Sequence, residues 1–65
     1  MEFKTLYNHC SFIISDAPHL TDIILKELRR VDELIASNKD ERFVQKTCQE
    51  SFRLVTMIHI EDSLN

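Results

Sequence analysis

Leu20-Thr21-Asp22-Ile23-Ile24-Leu25-Lys26-Glu27-Leu28-Arg29-Arg30-Val31-Asp32-Glu33-Leu34-Ile35 carries its apolar side chains at the period of an α-helix. Leu20, Ile24, Leu28, Val31 and Ile35 fall on one stripe, which Ile23 and Leu34 widen. Asp22, Lys26, Arg29, Arg30, Asp32 and Glu33 lie mostly on the other side, and Leu25 stands off the apolar stripe. Upstream, the polar break Ser15-Asp16-Ala17-Pro18 supplies a start signal. Proline is tolerated in a first helical turn, where the amides have no internal partner, and Ser15 or Asp16 can serve as N-cap. The spacing predicts a helix over residues 18–36.

The flanking segments follow the same logic. Phe3, Leu6, Tyr7, Cys10, Ile13 and Ile14 keep helical spacing and predict a first helix over 2–14. A short strand at 11–15 is the competing reading, but it accounts for fewer apolar residues. Downstream, Ser37-Asn38-Lys39-Asp40 interrupts the pattern. Asn38 is suited to the left-handed conformation that glycine usually supplies after a helix, and Asp40 to capping the next one. So short a turn makes its two helices antiparallel neighbours. The third helix, 40–63, shows a stripe of Phe43, Val44, Thr47, Cys48, Leu54, Val55 and Ile58. The expected fold is all-α: an antiparallel helical hairpin with an additional N-terminal helix, in one domain over 1–65.

Composition narrows the function. The 65 residues are 43% hydrophobic and 29% charged, a globular balance, and include no glycine. A chain of that length buries only about 60% of the surface its unfolded form exposes, so association is a common reinforcement. Eight basic residues stand against eleven acidic ones, a poor endowment for nucleic-acid binding, which depends on Lys and Arg contacts to phosphate. The longest apolar runs, Phe12-Ile13-Ile14 and Ile23-Ile24-Leu25, fall far short of a bilayer span, so no membrane insertion is expected. The mixed charge of Met1-Glu2-Phe3-Lys4 does not read as a signal peptide, which points to the cytoplasm. Cys10 and Cys48 read as buried apolar residues, although a bridge between them is compatible with the sequence.

No catalytic signature is present. Without glycine there is no phosphate-cradling loop and no nucleophile elbow. His9, Cys10, His19, Cys48 and His59 do not keep metal-ligand spacing, and neither metal nor cofactor is expected. A Cys–His nucleophile pair could arise only through tertiary contact and would still need an oxyanion hole. His59 and Asp62, three residues apart, are placed for a surface pair, and acids this close to a helix C-terminus favour fraying.

What remains is an apolar surplus. Phe52, Met57 and Ile60 project about 60° or more from the centre of the third helix's stripe, and Phe12 and Leu25 are further candidates. Leu25, Phe52, Met57 and Ile60 are therefore the expected partner-binding residues, of Met- and Phe-containing character common at protein interfaces. The alternative is that the first helix covers them and they belong to the core.

Residues 20–64 also resemble a family, the small helical-hairpin co-chaperones of bacterial type III secretion (YscE/PscE/SsaE-like). The likeness is carried by Asp22-Ile23-Ile24-Leu25-Lys26-Glu27-Leu28-Arg29-Arg30 and the polar turn Ser37-Asn38-Lys39-Asp40. It continues through Phe43-Val44-Gln45, Cys48-Gln49-Glu50-Ser51 and the aliphatic close Val55-Thr56-Met57-Ile58-His59-Ile60. The glycine that some members carry in the turn is missing, and the aliphatic close is shorter. The resemblance implies a non-enzymatic role: docking on a tetratricopeptide-like helical-repeat chaperone and helping to keep a secreted needle subunit monomeric. The alternative from another class is a homodimeric helical regulator of plasmid or phage type, self-associating and acting on RNA or a host protein.

Overall fold

A computed structural model describes residues 1–65 and contains three α-helices: α1 (Phe3–Asp16), α2 (Thr21–Ser37) and α3 (Glu41–Leu64). There is no strand, so the all-α expectation holds and the residues at 11–15 continue the first helix. No helix is long and apolar enough to cross a membrane. The contacts His9–Thr56, Asp16–His59 and His19–Asp62 rise together in residue number, so α1 and α3 run parallel. α2 runs antiparallel to both, and each helix packs on the other two, giving an up-down-up bundle.

The core closes around Leu6, Cys10 and Ile13 of α1, Ile24, Leu28 and Val31 of α2, and Cys48 and Val55 of α3. Both cysteines are buried free thiols rather than a disulfide. At a rise of about 1.5 Å per residue the 24 residues of α3 account for the 38 Å long axis. α1, with 14 residues, reaches only part of that length, and half-buried Ile35 and Val44 pack against the edge of the core.

Both turns depart from expectation in their chemistry. Ser15 and Asp16 do not cap; α1 extends through them and closes with the Ala17 N–H donating to the Ile13 carbonyl at 2.7 Å. Pro18–Leu20 then form one 3-10 turn with Ala17 as its uncapped start, and the Thr21 hydroxyl donates to the Pro18 carbonyl. The reason is burial: Ala17 is 5% exposed, so the chain packs before it turns. In the second turn Asn38 is extended (φ −141°, ψ 110°), and no residue has positive φ. Asn38 works through its side chain, whose Oδ1 accepts the Asp40 N–H at 3.0 Å. Asp40 caps α3 as expected, accepting the Arg42 N–H at 2.9 Å.

The end of α3 also differs from the simple helix-terminus picture. His59 does not pair with Asp62. Its Nε2 donates to Asp16 at 2.7 Å, while His19 donates to Asp62 at 2.7 Å. These two crossed contacts tie the α1 terminus and the 3-10 turn to α3. The helix runs on to Leu64.

Candidate docking surface

α2 and α3 enclose an open groove of about 540 Å³. Its apolar lining is Ile23 from α2 with Leu54 and Ile58 from α3; Lys26, Glu27 and Arg30 complete it. Ile23 and Leu54, which the periodicity places with the core stripes, are instead 48% and 45% exposed. The cause is α1, which packs against the opposite flank of α3 and turns the buried face toward Cys48, Ser51 and Val55. Ser51, buried at the centre of that face, is polar, so hydrophobicity alone could not locate the centre.

The groove floor holds a buried carboxylate. Glu27 is 9% exposed and receives both Arg30 Nε (2.8 Å) and a terminal guanidinium nitrogen (2.7 Å). Those hydrogen bonds outweigh burial and hold the Glu27 carboxyl below its ordinary value. The nearby Ser51 hydroxyl lowers it further, yet its oxygen stops short of hydrogen-bond geometry and stays unpartnered. Nothing in the periodicity marked Glu27 as buried, because Arg30, one turn on, solvates it from the outside.

Beyond the groove, Leu54, Met57, Ile60 and Leu64 succeed one another at spacings of three and four on α3. All four are exposed, Met57 by 58% and Ile60 by 52%. Ile23, Leu54 and Ile58 thus form the inner part of an apolar surface whose outer part is Met57, Ile60 and Leu64.

The other expected binding residues lie elsewhere. Leu25 lines a separate, shallower groove of about 290 Å³ between α1 and α2, with Phe3, Tyr7 and Leu28. Phe52 is half-buried on the α1 side of α3, its ring stacked on His9 with centroids 3.9 Å apart and planes 18° from parallel. Phe12 is 60% exposed and meets His59 edge-on at 6.1 Å. The four residues Leu25, Phe52, Met57 and Ile60 therefore do not share one patch; only Met57 and Ile60 do.

Neither cysteine is presented for chemistry. Burial, with the Glu27 carboxylate adding to it, pushes the Cys10 thiol up to about 11, and burial also raises Cys48. No three His, Cys, Asp or Glu side chains come together as a metal-ligand set. No protein family, curated protein or solved structure matches this chain.

Proposed function

We propose that this chain is a non-enzymatic protein-binding module whose working surface is the apolar face running from the α2–α3 groove along the outside of α3. The observation that carries this reading is the exposed run Leu54, Met57, Ile60 and Leu64 on a bundle whose core closes without them. An amphipathic helix laid along such a face buries its own apolar stripe and gains specificity from the charged groove wall.

The resemblance over residues 20–64 supports a particular form of this function. In that form the protein acts in the cytoplasm as a co-chaperone, docks on a tetratricopeptide-like chaperone, and helps hold a type III secretion needle subunit monomeric. Affinity capture from the native host, with mass spectrometry, tests it. Wild type should recover a helical-repeat protein together with a small secreted subunit, and Met57→Asp/Ile60→Asp should lose both. Recovery of the bait alone, or equal recovery by the variant, contradicts the reading.

A further inference from the structure

Lys26 and Glu61 are exposed, and neither makes an ion pair within the chain. Arg30, the other cation of the groove, is committed to Glu27, which leaves Lys26 as the free positive charge on the groove wall. Leu54 belongs both to this groove and to the outer stripe that continues at Met57. Glu61 lies seven residues beyond Leu54, so it returns to within about 20° of the same bearing on α3, two turns on. Glu61 therefore stands on the groove side of the outer stripe, the side on which Lys26 lies, at a different height.

That displacement is self-complementary. Consider two copies of α3 laid antiparallel about a two-fold axis level with Met57 and Ile58, the midpoint between Leu54 and Glu61. The axis brings each Leu54 to the height of the second copy's Glu61. A two-fold perpendicular to the helices also returns the α2 side of one copy to the α2 side of the other. Each Glu61 carboxylate then arrives beside the Lys26 of the other copy, twice by symmetry, while the two Met57 side chains meet at the centre. We propose that a second copy of this chain occupies the groove and outer stripe when no other protein does, forming an isologous antiparallel α3–α3 dimer locked by two Lys26–Glu61 pairs. The proposal rests on the reading of this face as a docking surface and adds to it a resting state that a partner must displace.

Sedimentation velocity from about 1 to 200 µM tests this, on wild type, Lys26→Glu, Glu61→Lys and an equimolar mixture of the two variants. Both side chains are exposed, so each variant should keep its helical circular dichroism, which is recorded beside wild type as the control for folding. Wild type should dimerise, and either charge reversal should weaken dimerisation by about tenfold, since two attractive pairs become repulsive. The mixture should recover it, because a heterodimer of the two variants restores opposite charges at both positions. A monomeric wild type, or reversals without effect, or a mixture no tighter than the single variants, overturns the dimer. A monomeric wild type that still captures a partner through Met57 and Ile60 would sink the dimer alone. A dimer rescued by the mixture with no partner captured would sink the co-chaperone reading alone.

Discussion

His9 lies flat on Phe52, and its Nε2 sits 2.8 Å from the Thr56 hydroxyl oxygen one turn further along α3. Thr56 spends its single proton on the Phe52 carbonyl at 2.7 Å, so it can only accept from His9, and the histidine carries its proton on Nε2. Ring stack and hydrogen-bond chain thus hold the same side chain between α1 and α3. Phe52→Ala should cost about 2–4 kcal/mol, somewhat less than a fully buried phenylalanine, as read by urea denaturation. A cost below about 0.5 kcal/mol would show that Phe52 is surface after all.

The same contact predicts a pH dependence. Burial, with the nearby His59 charge adding to it, lowers His9 from its ordinary value of 6.5. A lowered value means that the unfolded chain binds the proton more readily than the folded one. His9 therefore favours folding fully above pH 6.5, and that contribution is lost as pH falls from 6.5 through the folded value. Comparing wild type with His9→Gln between pH 7.5 and about 5 should show a steeper loss of stability in wild type. Parallel curves would contradict it.

Arg30 solvates the buried Glu27, so Arg30→Ala should destabilise the bundle by about 1.5–3 kcal/mol, the range for hydrogen bonds to a charged group. Arg30→Lys should recover only part, since an ammonium cannot reproduce the two-pronged contact. Because the Glu27 carboxyl is held below 4.5, its contribution is present above that pH and disappears as pH falls through the folded value. A thermal melt series on these variants at pH 7 measures the cost, and unchanged midpoints would remove Glu27 from the list of stabilising groups.

Cys10 and Cys48 are fully buried with raised thiols, so both should resist alkylation by iodoacetamide at pH 7.5 until the bundle unfolds. Mass spectrometry of the native protein should find no adduct after an incubation that labels the urea-unfolded chain completely. Rapid labelling of either thiol would mean that the core opens locally.

Three helices were legible in the periodicity because Ile24, Leu28 and Val31, like Leu6, Cys10 and Ile13, repeat on one face with polar residues opposite. Asp40 was legible as a cap because the capping contact is local. The details that escaped depend on where a distant helix sits. Cys48 and Val55 read correctly as part of the α3 stripe, but α1 also buries polar Ser51 and half-covers Phe52 while Leu54 stays exposed, and no spacing within α3 records that choice. Asp16, His19, His59 and Asp62 found partners more than forty residues away, beyond the reach of helical neighbour rules. Of the proposed docking surface, Met57 and Ile60 were readable as apolar residues off the main stripe, whereas Ile23 and Leu54 read as core residues.

The outer stripe of α3 is surplus to folding if it is a docking surface, and one double variant separates the two roles. Met57→Asp/Ile60→Asp should be melted by far-ultraviolet circular dichroism beside wild type, at a concentration where wild type is monomeric. Full helicity and a midpoint within about 8 °C of wild type are expected, since each surface change stays within about 0.5 kcal/mol and a chain of this size shifts by about 4–8 °C per kcal/mol. Loss of the helical signal, or a midpoint lowered by more than about 10 °C, would place Met57 and Ile60 in the core and contradict the docking surface.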